Sequence, residues 1–315
     1  MAVKNIVIGE KVENAYVILK TLHLKNGVYV ATFADKSGNV EGLIREDLVT
    51  EEVKSSIKGA VCITAVSKPG NELSVLLQVK QIRKAEPGEY KSSELFDGLS
   101  EEKISEYKEI IRMCQSHVFH DGMAQLLKVT LTEENLDKLA SMPATLNFYG
   151  IYKGGALAGS ALISRMVLDC GIDYVKFFNG LHQRNIDWSL LLTSSLLNTF
   201  GVLKYLTPEA PFRKTQMGVD RGYPSILQSM LERIVYENNI PLSEEELSKI
   251  INVITCSVSS KTGVKATTKE GILLRHTLAL YAELDMLDYG VSEYEPKDDE
   301  ETYFFNSKLR RYTNL

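Results

Sequence analysis

The sequence predicts an α+β chain in two parts, a small N-terminal β-barrel followed by an all-helical domain. Three observations predict it. Short apolar runs rich in Val, Ile and Tyr, divided by turn residues, fill the chain from Val3 to Ala85. The linker signal Glu86-Pro87-Gly88-Glu89 interrupts them. Beyond it, apolar residues recur at helical spacing behind capping residues.

The first strand run is Val12 to Leu22, and the second is Val28 to Ala34. The polar turn Asp35-Lys36-Ser37-Gly38-Asn39 joins the second to Val40-Glu41-Gly42-Leu43-Ile44, which is a hairpin signal. Gly59 to Val66 follows, then the turn Lys68-Pro69-Gly70-Asn71-Glu72 and a last run from Leu73 to Val79. Roughly five strands in about 85 residues suit a small barrel of OB-fold size, with a sandwich as the alternative.

In the second part, Ser100 precedes Glu101-Glu102, and Ile104, Tyr107, Ile110, Ile111 and Cys114 mark one helix face. Thr132-Glu133-Glu134 opens another helix, and Trp188 to Leu203 reads as a buried one. Ser243-Glu244-Glu245-Glu246 is a capping box, and Thr268 to Leu287 is a long helix. The expected plan is a barrel over 1–86, a linker and helix over 87–120, a helical domain over 121–292 and a tail over 293–315.

With 44% hydrophobic and 24% charged residues, the 315-residue chain has enough apolar material for a core, which excludes fibrous and disordered classes. Its net charge of −5 does not advertise nucleic-acid binding as a whole. Residues 1–90 differ, with 12 Lys/Arg against 11 Asp/Glu, or +1. Cys62, Cys114, Cys170 and Cys256 lie far apart and form no CxxC pair, so they read as small hydrophobes. No apolar run approaches the roughly 18–20 residues of a membrane span. The longest, Ala156 to Leu168, is broken by Gly159, Ser160, Ser164 and Arg165. Met1-Ala2-Val3-Lys4-Asn5 lacks a signal peptide's pattern, so a cytoplasmic address is expected, with no membrane partner.

Several stretches carry a resemblance. In the barrel they are Ile8-Gly9-Glu10-Lys11-Val12, Asp35-Lys36-Ser37-Gly38 with Val40-Glu41, Ile57-Lys58-Gly59 and Val79-Lys80-Gln81-Ile82. In the helical half they are Tyr152-Lys153-Gly154-Gly155-Ala156-Leu157, Leu190 to Leu197, Thr268 to Leu274 and Ser307 to Tyr312. In this order they resemble the YhaM-type 3′→5′ exoribonucleases, also called CMP-binding factors. The resemblance implies an OB-fold, then an HD metal-hydrolase domain, and assembly into oligomers. It covers nearly the whole chain.

The departures fall on the metal ligands that the resemblance implies. The family's glutamate and histidine after the glycines are replaced by Ala158 and Gly159, and its His-Asp pair by Asn198-Thr199. The Gly-His pair falls at Gly218-Val219, the paired histidines near Ser257-Val258 and the closing aspartate near Leu278. The upstream His-His is replaced by Tyr149-Gly150. A hydrolytic centre needs several converging imidazoles or carboxylates and an open position for water. These side chains do not supply that set. The expectation is a pseudoenzyme with a degenerate HD-like domain, no cofactor and no metal.

Other constellations are weaker. His117 and His120, with Asp121, are spaced to share a helix face and, together with His182, form a candidate relocated metal site for a phosphodiesterase; a polar helix end is the plainer reading. His276 reads as a helix-face histidine, and His23 lies in the barrel. There is no G-x-S-x-G elbow, and Gly150 to Gly155 is not a P-loop, so its glycines point to a tight helix entry. The barrel is then a binding module. Tyr29 and Phe33 share one strand face and either stack bases or fill the interior, while Lys25, Arg45, Lys80, Arg83 and Lys84 are candidate phosphate contacts. The expected partners are single-stranded RNA or DNA, further copies of the chain, or an active relative. A purely structural protein is the remaining alternative.

Overall fold

The computed structural model describes residues 2–57, 59–70, 74–86, 88–90, 95, 98–178, 185–208, 212–258, 265–292, 303–306 and 311–314. They fall into two compact units. One comprises Met1–Gly98 with Glu209–Arg213, and the other Leu99–Pro208 with Lys214–Leu315.

The first unit is a closed barrel of β1 (Lys11–Lys25), β2 (Val28–Asp35), β3 (Gly38–Arg45), β4 (Ala60–Pro69) and β5 (Val75–Lys84). The order around it is β1-β2-β3-β5-β4. β3 and β5 run parallel and the other pairs antiparallel. Closure removes the sandwich alternative and gives an OB-like barrel, with the short helix α1 (Glu51–Ser55) between β3 and β4. Two local devices set the first hairpins. Asn26 and Gly27 both take positive φ, 51° and 77°, so a tight turn brings Lys25 opposite Val28. At the next turn Asp35 Oδ1 accepts the Ser37 N–H at 2.7 Å, and Oδ2 accepts the Val3 N–H at 2.7 Å.

Alternate side chains fill the barrel: Val17, Leu19, Ala31, Phe33, Ile44, Ile63 and Leu77 are fully or nearly fully buried. Phe33 occupies the space above Gly42 on β3. A β-carbon on Gly42 would lie 2.6 Å from Phe33 Cε2, so the glycine makes room for the ring.

The second unit contains α2 (Glu101–Gln115), α3 (Asp121–Thr130), α4 (Glu133–Ala140), α5 (Gly155–Phe178), α6 (Trp188–Leu197), α7 (Val202–Tyr205), α8 (Gln216–Glu237), α9 (Glu244–Val258) and α10 (Lys269–Ser292). The expected caps are in place. Ser100 accepts the Lys103 N–H at 3.2 Å and Thr132 that of Asn135 at 3.3 Å. Ser243 and Glu246 close the box reciprocally at 2.8 and 3.2 Å. α2, the helix expected after the linker, packs in this unit, with Ile111 and Cys114 buried in its core.

Three elements carry features that the expected plan leaves out. The helix read over Trp188 to Leu203 ends at Leu197, and α7 resumes at Val202. α8 is kinked at Gly222, where φ is 73°, just before Pro224. In place of a tail, Tyr303–Asn306 and Arg311–Asn314 pair antiparallel as β6 and β7. α5 is the central helix. The segment Gly155–Lys176 is long and apolar enough to cross a membrane by length and composition, but 67% of its apolar stretch is buried in the protein. Its Ala156, Leu157, Ala161, Ile163 and Val167 are in the helical core.

The Gly42–Phe33 contact can be tested in the barrel. Gly42→Ala displaces the ring and is expected to cost about 1–3 kcal/mol. Phe33→Ala leaves a cavity and is expected to cost about 3–5 kcal/mol. Urea titration of the barrel's unfolding checks both, and wild-type stability in either variant would contradict this packing.

Candidate functional site

The barrel's two faces separate the expected contacts. Phe33 is fully buried, and Tyr29, opposite Leu24 and Ile44, is half-buried against the same interior. Of the two readings of Phe33, its burial fits the interior one: its ring has no face open to a base. Tyr29 points inward with it, because residues four apart on a strand share a side.

The outward side of β1, β2, β3 and β5 is arranged in rungs. Thr21, Thr32, Glu41 and Leu76 form one, and His23, Val30, Leu43 and Gln78 the next. Lys25, Val28 and Arg45 form the third. No Phe, Tyr or Trp stands in these rungs. Lys25, Arg45 and His23 are exposed around half-buried Val28, Val30 and Leu43, and exposed Lys80 lies two residues past Gln78. Among the described residues Lys25 and Lys80 make no ion pair, while Arg45 meets Asp47 at 2.8 Å.

Arg83 and Lys84 are not part of this group. Arg83 stands opposite Cys62, which stands opposite Tyr16, on a side covered by Tyr90 and Leu95. Glu89 takes both Arg83 terminal nitrogens at 2.8 Å, and this pairing holds the Glu89 carboxyl down at about 2. Lys84 faces Glu86 at 3.9 Å. The aliphatic strip and the rung joining Lys25 to Arg45 were missed in the sequence reading. Asn26-Gly27 was the available signal, since that turn sets the register.

In the helical unit, the loop before α5 depends on its glycines. A β-carbon on Gly155 would lie 2.1 Å from the Gly150 carbonyl oxygen, and Gly150 and Gly154 have φ of 55° and 93°. The loop therefore folds tightly onto the start of α5. There Gly159 lies where a β-carbon would be 3.3 Å from Thr199 Cγ2 and 3.8 Å from Tyr149 Cε2. Thr199 Oγ1 donates to the Ala156 carbonyl at 2.9 Å, and Asn198 Nδ2 to that of Ser195 at 2.6 Å. The Tyr223 hydroxyl donates to the Asn198 carbonyl. Leu278 is buried, and the Ser257 hydroxyl donates to the Ile254 carbonyl at 2.6 Å. Val219 is 64% exposed and stands away from this packing; Tyr223, four residues on, is the residue of α8 that reaches it.

Tyrosines gather beside these positions. Tyr149 meets Tyr281 edge-on, with ring centroids 5.7 Å apart, and Asp285 Oδ2 accepts the Gly150 N–H at 2.8 Å. Burial first, then the Asp285 charge, pushes the Tyr149 hydroxyl up and the Tyr152 hydroxyl up to about 12. Burial likewise raises Tyr281 and Tyr223. These phenols stay neutral in ordinary buffers. Among the described residues no group of three or more His, Cys, Asp and Glu is placed to hold a metal ion.

The histidines of the relocated-site reading serve helix ends. His117 Nδ1 lies 2.9 Å from the Met113 carbonyl oxygen. His120 caps α3 through Nδ1, 3.4 Å from the Met123 nitrogen, and its Nε2 lies 2.8 Å from Glu246 Oε1. His276 is exposed beside Arg275, and His182 lies outside the described residues. No family model matches the chain, and no curated protein matches it.

The tyrosine cluster predicts an alkaline transition. Unfolded tyrosines titrate near pH ~10. The folded phenols hold their protons to higher pH, so their contribution is whole below pH ~10 and is lost as pH rises toward the folded values. Near-ultraviolet titration should show the tyrosine band shifting together with loss of helix. Full ionisation with helix intact at pH ~10 would contradict the burial.

Proposed function

We propose that this chain is a non-catalytic relative of the YhaM-type exoribonucleases that acts by binding single-stranded RNA or DNA through its barrel. The observation that carries the reading is the outward group of Lys25, Arg45, Lys80 and His23 around Val28, Val30 and Leu43 on an OB-like barrel. Lysine and arginine at the edge of the strands track a phosphate backbone, and the aliphatic strip gives bases an apolar surface. Without an outward Phe, Tyr or Trp, stacking contributes little. Binding is then mainly electrostatic, modest and indifferent to sequence. Under this reading the helical unit is a degenerate HD scaffold, and oligomer formation places several barrels along one strand.

The pseudoenzyme part is supported by the residues at the expected ligand positions. Ala158, Gly159, Thr199 and Leu278 lack the imidazoles and carboxylates that would activate water.

Fluorescence anisotropy with a labelled single strand of about 12 nucleotides tests the proposal. Three phosphate contacts predict a log–log salt slope of about −2. The double variant Lys25→Glu, Lys80→Glu should weaken binding by about tenfold or more at low salt. Arg83→Glu should weaken it far less, because that guanidinium is already held by Glu89. Absence of binding at low salt would instead favour a purely structural protein.

A further inference from the structure

The last long helix, α10, is apolar on two sides. One side lies in the core, where Leu274, Leu278 and Tyr281 pack. On the other, Ile272, Leu280 and Leu284 are 47%, 52% and 50% exposed. Ile272, His276, Leu280 and Leu284 follow one another at four-residue steps along the helix. Exposed Ala279 and Glu283 and half-buried Leu287 run beside them, also at four-residue steps, so the seven form one stripe. From Ile272 to Leu287 the stripe is about 24 Å long.

A surface helix usually turns polar residues to solvent, and a helix that is apolar all round is covered on both sides. Exposed leucines standing singly need no explanation, whereas a continuous run of them marks an interface. The charges on this face are ordered along it. Arg275 and His276 stand toward its start and Glu283 toward its end, all three exposed. Reversed end for end about its middle, the stripe matches itself: Ile272 falls opposite Leu287, and Arg275 and His276 fall opposite Glu283. Laid against itself in the same direction, it sets like charges together.

We propose that this face joins two copies of the chain, their α10 helices lying antiparallel about a two-fold axis beside Ala279 and Leu280. Ile272 then packs near the partner's Leu287, and Ala279 near the partner's Leu280. Arg275 and His276 lie beside the partner's Glu283. A two-fold interface uses one patch twice, so it requires a surface that matches itself on reversal. The charges fix the direction, because parallel helices would set Glu283 against the partner's Glu283. The aliphatic side chains supply the affinity as they leave water. One helix pair is at the low end of specific interfaces, so the dimer dissociates in the micromolar range. This gives a surface to the oligomer of the proposed function, and it does not rest on strand binding by the barrel.

Sedimentation equilibrium of the full chain, free of nucleic acid, tests the interface. A monomer–dimer equilibrium is expected, and Leu280→Glu should weaken it by about a hundredfold or more, since it buries an unpaired charge at the axis. Because Leu280 is exposed in the single chain, circular dichroism of that variant should match wild type, which separates lost association from lost folding. Disulfide trapping reads the direction. With the exposed Cys170 changed to serine, Ala279→Cys should cross-link to itself under mild oxidation. Ile272→Cys should not cross-link alone but should do so when mixed with Leu287→Cys. A monomer at every concentration, a dimer indifferent to Leu280→Glu, or self-cross-linking of Ile272→Cys would each overturn the interface. Strand binding by the barrel, read separately by anisotropy, stands or falls apart from these results.

Discussion

The close approach of the Gly150–Gly155 loop to the first turn of α5 is the contact on which the helical unit depends. Only glycine permits it, because a side chain at residue 155 would collide with the carbonyl of residue 150. Once the loop is held there, Tyr149 is brought against Gly159 and Tyr281, and Gly150 presents its N–H to Asp285. The kink at Gly222 brings Tyr223 to the Asn198 carbonyl beside the same region. The centre is thus packed with phenols and aliphatic groups. Such a centre is stable through burial.

The barrel follows from a simpler constraint. Strand residues alternate between two environments, so each turn's geometry decides which set lies inside. The Asn26-Gly27 turn and the glycine at 42 together put Phe33 in the core and Lys25, Val28 and Arg45 outside. The outward set carries cations and aliphatic surface but no phenyl, phenol or indole ring. The opposite side of the barrel is covered by Tyr90 and Leu95, and its arginine is neutralised by Glu89. The two sides of one small barrel therefore differ in what they offer a polyanion.

Much of this fold is legible in the sequence, and the parts that are not share a cause. Strand runs, the Asp35 turn and the caps at Ser100, Thr132 and Ser243 are local signals, and each is seen in the structure. The end of α6 at Leu197 was hidden because the chain stays apolar on both sides of the break, so no change of pattern marks it. Whether Phe33 faced in or out was undecidable from period two alone; the answer lies across the sheet, at Gly42. The tyrosine cluster joins residues 107, 149, 152 and 281, which no window of sequence places together. Val219, which the resemblance aligns with one of the family's ligand positions, is turned to solvent, and sequence order alone does not show that.

We propose that this protein holds a single strand and leaves it intact. The most direct measurement incubates homogeneous protein with an end-labelled oligoribonucleotide and Mn²⁺, then scores retention and length in the same sample. The account predicts a retained, full-length strand that is released by added salt. A ladder of shortened products that persists through repeated purification would contradict it.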